Sequence, residues 1–132
     1  MKILLVEDEE HDAFFMHRAL AKAGLPAPAH VAVNGQDALD YLSGTGQYSD
    51  RTAFPFPNCV FLDLKLPFVH GFQVLEWIRG QAAFPDLPVF VLSSSNEDSD
   101  RKRAKKLGAK GYLVKPPTAQ ALLDALSAIT VE

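Results

Sequence analysis

The sequence predicts a single α/β domain in which one parallel β-sheet is covered by helices on both faces. Two observations predict this class. Along the 132 residues, five short apolar runs alternate with five segments of helical periodicity. The third apolar run ends in a carboxylate, Asp63. A strand that is buried on both faces carries a charge only where a partner neutralises it. Asp63 is therefore expected at the carboxyl edge of the sheet, where such folds bind ligands.

The first half of the chain contains two predicted strands and two predicted helices. A continuous apolar run predicts a strand over residues 2–6. A helical pattern follows over residues 11–23 and stops at Gly24, because glycine commonly ends helices. A second strand is predicted over residues 30–33, and a short helix over residues 36–42.

The second half of the chain continues this alternation. Strands are predicted over residues 59–62, 88–92 and 111–114, and helices over residues 72–79, 98–107 and 118–129. The last helix is expected to bury four apolar residues at helical spacing: Leu122, Leu123, Leu126 and Ile129. Parallel strands joined by helices require right-handed crossovers. No internal repeat is present, so residues 1–132 are predicted to form one domain without an output domain.

One segment interrupts the alternation. Residues 44–58 form a connection that contains Tyr48, Phe54 and Phe56. It is long, because connections in such folds usually span about 2–6 residues. The favoured interpretation is a surface loop that packs its own aromatic side chains. The alternative is a partner or self-association surface, since exposed aromatic residues anchor interfaces.

Composition and charge argue against several classes of function. The net charge of −3 does not favour a nucleic-acid-binding surface. The single cysteine, Cys59, permits no internal disulfide, which indicates a cytoplasmic setting. The N-terminal residues turn acidic too early for a signal peptide. No apolar run is long enough to span a bilayer, so no membrane partner is expected.

The chemistry of the site follows from the geometry of a parallel sheet, whose strand carboxyl ends all lie on one edge. The residues that follow the strands therefore converge there: Glu7, Asp8, Asp63, Ser93, Ser94 and Lys115. Carboxylates so close together repel one another, so a cation is expected among them. Oxygen ligands without His or Cys favour Mg²⁺ over zinc. Such a site suits a phosphoryl group, because the metal and Lys115 can neutralise its oxygens while Asp63 attacks phosphorus.

Four motifs carry a family resemblance that spans essentially the whole chain. They are ILLVEDE at residues 3–9, FLDLKLP at 61–67 followed by Gly71, VLSS at 91–94 and GAKGYLVKP at 108–116. In this order and spacing, the chain resembles the receiver domain of a two-component response regulator. The resemblance implies a flavodoxin-like, doubly wound (βα)5 three-layer sandwich whose parallel strands are ordered 2-1-3-4-5. The long loop and the missing output domain further resemble single-domain regulators that partner phytochrome-type histidine kinases.

The resemblance implies a role for each residue around the acceptor. Asp63 would accept the phosphoryl group. Asp8 would bind Mg²⁺ directly, Glu7 would assist through water, and the backbone carbonyl of Lys65 would be a further ligand. The Lys65 ammonium would alter the lifetime of the phosphoryl group, in a direction that the resemblance leaves open.

The resemblance also implies residues that respond to the phosphoryl group. Ser93 would hydrogen-bond it, Lys115 would bind one of its oxygens, and Tyr112 would turn inward when Ser93 moves. The bond between Lys115 and Pro116 would be cis. Simpler interpretations remain open for two of these residues: Ser93 as a cap of the basic helix, and Tyr112 as an ordinary core aromatic.

Two other sets of residues are given structural roles. The basic run at residues 101–106 is expected to be the solvated face of a helix. Docking of an acidic protein partner is its second interpretation and nucleic-acid binding its third. The four histidines are scattered, and they are expected at the surface or in loops: His11, His17, His30 and His70.

The sequence therefore predicts a phospho-accepting switch rather than an enzyme with a separate substrate. A sensor histidine kinase would phosphorylate Asp63, and the face made by the fourth helix, fifth strand and fifth helix would rearrange for partner binding or dimerisation. Three alternatives remain: a phosphorylation-independent adaptor, an aspartyl-phosphate phosphatase, and a flavin or nucleotide carrier. The intact acids argue against the first alternative. The lack of a second acid beside Asp63 argues against the second, and the acidic run after the first strand against the third.

Overall fold

The computed structural model describes residues 1–129. Within them, five parallel strands form one sheet in the order β2-β1-β3-β4-β5. The strands are β1 (Ile3–Val6), β2 (His30–Ala32), β3 (Cys59–Asp63), β4 (Val89–Ser93) and β5 (Gly111–Val114). The helices are α1 (Glu10–Lys22), α2 (Gly35–Ser43), α3 (Gly71–Arg79), α4 (Asp98–Lys106) and α5 (Ala119–Ser127). None of these helices is long and apolar enough to cross a membrane. The predicted α/β fold and strand order are confirmed.

The central strands are buried because apolar side chains cover both of their faces. In β1, Leu4 and Val6 pack with α2 and α3, whereas Ile3 and Leu5 pack with α1 and α5. Complete burial of one such side chain contributes about 1.5–3 kcal/mol. Cys59 is fully buried at the start of β3, and burial raises the pKa of its thiol to about 12. The sheet is therefore a firm base for the loops at its carboxyl edge.

Helix α4 has few buried contacts with the sheet. Ala104 is its one buried residue. Two of its arginines lie over aromatic rings, with Arg101 Cζ 4.7 Å from the ring centroid of Tyr112 and Arg103 Cζ 4.4 Å from that of Phe72. Such cation–π contacts contribute about 0.5–1 kcal/mol at exposed sites. The predicted basic, solvated helix is confirmed, and cation–π contacts supplement its small apolar anchor.

The long connection between α2 and β3 packs its own aromatic side chains, as the favoured interpretation predicted. It includes a 3₁₀ turn, Gly46–Tyr48, and Tyr48 is buried. The Tyr48 ring centroid lies 5.1 Å from those of Tyr41 and Phe54. The Tyr48 hydroxyl also donates a hydrogen bond to Asp37 in α2. These contacts hold the connection against the α2 side of the sheet.

Two predictions about individual side chains are wrong. Leu123 was expected in the core but is 39 % exposed. Leu122 and Leu126 are four residues apart and share the buried face of α5, whereas Leu123 lies about 100° around the helix. His30 was expected at the surface but is half-buried in β2, where its ring stacks on that of Tyr41 at 4.6 Å between centroids. The aromatic connection covers this edge strand and shields part of the His30 ring from solvent.

Candidate functional site

Three carboxylates meet at the carboxyl edge of the sheet. Glu7 and Asp8 follow β1, and Asp63 ends the neighbouring strand β3. One oxygen of each lies within 4.8 Å of the other two. Glu7 is 2 % and Asp63 is 5 % exposed, whereas Asp8 is open to solvent. The site therefore combines two buried acids with one accessible acid.

Lys115, which follows β5, brings a positive charge to these acids. Its Nζ lies 2.6 Å from Glu7 Oε1, 2.9 Å from Asp12 Oδ2 and 3.3 Å from Asp63 Oδ2. Burial lowers the pKa of Lys115, but the surrounding carboxylates outweigh burial and raise it above its usual range. Lys115 is therefore a charged ammonium at neutral pH. The Lys115–Pro116 peptide bond is cis, as predicted.

Glu7 is the carboxyl group most affected by these surroundings. Burial raises its pKa from 4.5 to about 7, while Lys115 opposes the rise and Asp63 adds to it. Glu7 Oε1 has no hydrogen bond of acceptable geometry, so its short approach to Lys115 is an ionic contact. The Glu7 carboxylate therefore has unused capacity for a further cation.

Asp63 is held by contacts to both of its carboxylate oxygens. Its Oδ1 accepts a hydrogen bond from the Lys65 N–H at 3.3 Å, and its Oδ2 faces Lys115. Ser93 ends the neighbouring strand β4 and is 1 % exposed, and its Oγ accepts a hydrogen bond from the Ser95 N–H at 3.1 Å. Lys65 and Ser93 line a cavity of about 180 Å³ whose other walls come from the β3–α3 loop, α3 and α4. Space for a small ligand therefore exists beside Ser93.

Tyr112 in β5 connects this region to α4. Its hydroxyl donates a hydrogen bond to the Ser95 carbonyl at 2.8 Å, and its ring lies under Arg101. The ring is partly buried, so Tyr112 combines core packing with a polar contact to the loop that follows Ser93. Helix α4 begins after its N-cap Glu97, so Ser93 does not cap that helix.

The loop between β3 and α3 forms one side of the site. Phe68 has a φ of 68° and is 89 % exposed, an unusual backbone conformation for a bulky residue. His70 caps α3 and accepts a hydrogen bond from the Phe72 N–H at 3.1 Å. A Cβ added at Gly71 would overlap the carbonyl oxygen of Asp63. The glycine therefore allows α3 to start directly against the end of β3.

Two residues near the site were not predicted from the sequence. Asp12, in the first turn of α1, contacts Lys115. Its place in the first turn was predictable, and helical side chains point toward the N-terminus, but the contact with Lys115 depends on how α1 is rotated about its axis. Ser95 contributes its backbone carbonyl and N–H, and no side-chain pattern identifies such a role.

The acidic cluster fits a hard divalent cation. Glu7, Asp8 and Asp63 offer carboxylate oxygens from one small region, and Mg²⁺ prefers such oxygen ligands. The lack of a well-aligned hydrogen bond at Glu7 Oε1 leaves acceptor capacity at the same place. Lys65 follows Asp63 on the loop and could add its backbone carbonyl. The residues present therefore offer the kind of oxygen donors that a magnesium ion prefers.

The fold and this site define a class of signalling protein. A family model described as the response regulator receiver domain matches residues 3–127, and the chain belongs to this family. The chain is 37 % identical over 114 residues to the probable methanogenesis regulatory protein FilR2 of Methanothrix harundinacea, covering 86 % of this chain and 71 % of that protein. It is also similar to the structure of the bacteriophytochrome response regulator AtBRR, with 38 % identity, a TM-score of 0.85, and coverage of 99 % of this chain and 94 % of that one. A third similar structure is the Mn(2+)-bound form of response regulator Rcp1, with 25 % identity, a TM-score of 0.78, and coverage of 100 % and 99 %.

The family assignment confirms the resemblance that the four sequence motifs predicted. Receiver domains partner sensor histidine kinases. The similarity to a bacteriophytochrome regulator agrees with the narrower resemblance to regulators of phytochrome-type kinases. The manganese in the Rcp1 structure agrees with a divalent-cation site at an acidic cluster of this kind.

Proposed function

We propose that this chain is a phospho-accepting switch, in which Asp63 receives a phosphoryl group from a partner histidine kinase in a Mg²⁺-dependent reaction. The observation that carries this proposal is the contact of Lys115 with both Glu7 and Asp63. A buried carboxylate that only stabilised the fold would need one cationic partner. Here several acids surround a single lysine, which leaves negative charge for a divalent cation to neutralise.

The proposed reaction moves a phosphoryl group from a histidine nitrogen to a carboxylate oxygen. An Asp63 oxygen forms the new P–O bond while the P–N bond of the donor breaks. The leaving imidazole keeps the electron pair of that bond and takes up a proton. When bound, Mg²⁺ neutralises charge on the phosphoryl oxygens. Lys115 then holds one of those oxygens and the Ser93 hydroxyl donates a hydrogen bond to another.

The output of the switch is proposed to pass through Ser93 and Tyr112 to α4. A Ser93 hydroxyl that donates to the phosphoryl group draws the following loop toward Asp63. Tyr112 follows, because its hydroxyl is bonded to the Ser95 carbonyl in that loop. Helix α4 can shift at little energetic cost, because Ala104 is its one buried residue. The face formed by α4, β5 and α5 is therefore the proposed partner-binding or dimerisation surface.

The acceptor role is tested by incubation with Mg²⁺ and phosphoramidate, followed by intact-mass measurement. We expect one phosphoryl adduct on the wild type, none on Asp63→Asn and none after chelation of the metal. Asp124→Asn removes an exposed acid from α5 and serves as the matched control, which should be modified like the wild type. An equal adduct on Asp63→Asn would refute the proposal. So would a wild type that neither phosphoramidate nor a phytochrome-type histidine kinase modifies, and a phosphorylation-independent adaptor would then be the better interpretation.

Dimerisation is a separate part of the proposal with its own test. Sedimentation velocity with and without beryllofluoride, a phosphoryl mimic, measures whether activation changes the oligomeric state. We expect a larger species with beryllofluoride and Mg²⁺. A protein that stays monomeric would contradict the dimer while leaving the acceptor role of Asp63 intact.

A further inference from the structure

Asp12 makes a contact that the acceptor mechanism does not explain. It is in the first turn of α1 and is not a member of the carboxylate cluster formed by Glu7, Asp8 and Asp63. Its Oδ2 accepts a hydrogen bond from Lys115 Nζ at 2.9 Å. The distance from the same Nζ to Asp63 Oδ2 is 3.3 Å. The lysine thus lies closer to Asp12 than to the carboxylate that it is proposed to serve.

The contact with Asp12 matters because Lys115 can donate only a limited number of hydrogen bonds. An ammonium group has three N–H donors, and three carboxylates surround this one: Glu7, Asp12 and Asp63. Among the described residues, only Asp12 accepts a hydrogen bond from this ammonium, whereas Glu7 and Asp63 contact it as ion pairs. A phosphoryl oxygen that binds Lys115 therefore competes with Asp12 for it. Glu7 and Asp63 belong to the acidic cluster that fits a metal, whereas Asp12 does not. Asp12 is therefore the partner that continues to hold Lys115 when the cluster is neutralised.

We propose that Asp12 is a positioning residue that draws Lys115 toward α1 and competes with the phosphoryl group for its ammonium. This inference rests on the proposed function. It adds that Asp12 limits how strongly the site binds a phosphoryl group. Loss of the Asp12 charge weakens the hydrogen bond that holds one N–H of Lys115 and also makes the pocket less negative. Both changes favour an incoming anion.

A simpler role for Asp12 is support of the helix. Acids in the first turn of a helix are stabilised by its dipole, and α1 carries two of them, Glu10 and Asp12. Glu10 is exposed and makes no ion pair or side-chain hydrogen bond with the rest of residues 1–129. Glu10→Gln therefore removes the same charge from the same helical turn without touching Lys115. It is the matched control for Asp12→Asn.

The contact itself is tested by NMR on the full ¹⁵N-labelled chain without any phosphoryl donor. The side-chain ammonium signal of Lys115 is assigned by its loss in Lys115→Arg. We expect Asp12→Asn to shift this signal and to speed the exchange of its protons with water, because a neutral amide oxygen accepts a weaker hydrogen bond from the ammonium than a carboxylate does. Glu10→Gln should leave the signal unchanged. A Lys115 signal that Asp12→Asn does not alter would overturn the inference.

The competition is tested by titrating the same variants with beryllofluoride at saturating Mg²⁺. Partly exposed ion pairs of this kind are worth up to about 1 kcal/mol, so Asp12→Asn should bind beryllofluoride about three- to fivefold more tightly than wild type. Glu10→Gln should match the wild type. Lys115→Met should bind beryllofluoride more weakly than wild type. Adding Asp12→Asn to Lys115→Met should increase the affinity much less than adding it to the wild type does.

Three results would overturn the competition: unchanged or weaker binding by Asp12→Asn, an equal gain in Glu10→Gln, or a full gain in the Lys115→Met background. Failure of the proposed function gives a different result, because the wild type would then accept neither beryllofluoride nor a phosphoryl group. In that case the competition falls with the proposed function.

Discussion

The replacement Glu7→Gln should change the pH dependence of stability in the metal-free protein. The pKa of Glu7 is raised by burial from 4.5 to about 7 in the folded chain. At a pH between these two pKa values, Glu7 is protonated in the folded state and ionised in the unfolded state. Stability therefore decreases as the pH rises through this window, because the unfolded state binds fewer protons there. A glutamine side chain at this position does not titrate, so the variant should lack this part of the slope.

The size of the effect follows from the two pKa values. The interval from 4.5 to about 7, at ~1.4 kcal/mol per pH unit, corresponds to about 3 kcal/mol. The free energy of unfolding of Glu7→Gln relative to wild type should therefore rise by about 3 kcal/mol between pH 4.5 and pH 8. Loss of the ionic contact with Lys115 also changes the stability of the variant by an amount that does not depend on pH in this range. The test is therefore how the difference in free energy of unfolding changes with pH, and not its absolute size.

Urea unfolding across this pH range, with a chelator present, measures the difference directly. Glu76→Gln, which changes an exposed acid of α3, is the matched control and should follow the wild type at every pH. Saturating Mg²⁺ should flatten the wild-type slope, because a bound cation favours the ionised carboxylate. The free energies of unfolding of Glu7→Gln and wild type could instead differ by the same amount at every pH from 4.5 to 8. That result would refute the claim that burial raises the pKa of Glu7.

Substitutions at three further positions test the packing of the chain, each by urea unfolding at constant pH. Phe68→Gly should raise the free energy of unfolding by about 1 kcal/mol, because it relieves a positive φ at an exposed ring. Phe68→Ala keeps the strain and should bring no comparable gain. Gly71→Ala should lower stability by about 1–3 kcal/mol, because its Cβ would overlap the Asp63 carbonyl, and a neutral result would mean that the loop yields. Tyr48→Phe should cost about 1–2 kcal/mol, because Asp37 loses a hydrogen bond in a partly buried position, and an unchanged stability would show that water replaces the hydroxyl.

The elements of the sheet could be predicted from the sequence because strands buried on both faces leave a distinct pattern. The run that ends at Asp63 is apolar at every preceding position of β3, and the structure buries the whole strand. Helix ends were less predictable, since they depend on local hydrogen bonds. His70 is an example: it caps α3 together with Gln73, although histidine is not a typical capping residue.

The convergence of the site could also be predicted, because in a parallel sheet the residues that end or follow the strands, Glu7, Asp63 and Lys115, lie at one edge. The contact of Lys115 with Asp12 could not, since it depends on the rotation of α1 about its axis. The exposure of Leu123 is a similar case. Several apolar residues occupy neighbouring positions of α5, and only the packed structure selects which of them face the sheet.

Because the protein's one cysteine is buried, the opening of the sheet can be measured by thiol labelling. Cys59 lies at the start of a central strand, is fully covered, and has a thiol whose pKa is raised to about 12 by burial. The Cys59 thiolate is the nucleophile that attacks alkylating reagents, so these reagents can modify Cys59 only in molecules whose central strand has separated from its neighbours. The rate of thiol labelling under native conditions therefore reports how often the sheet opens. No engineered probe is needed, and the same measurement can be made with and without Mg²⁺ or a phosphoryl mimic.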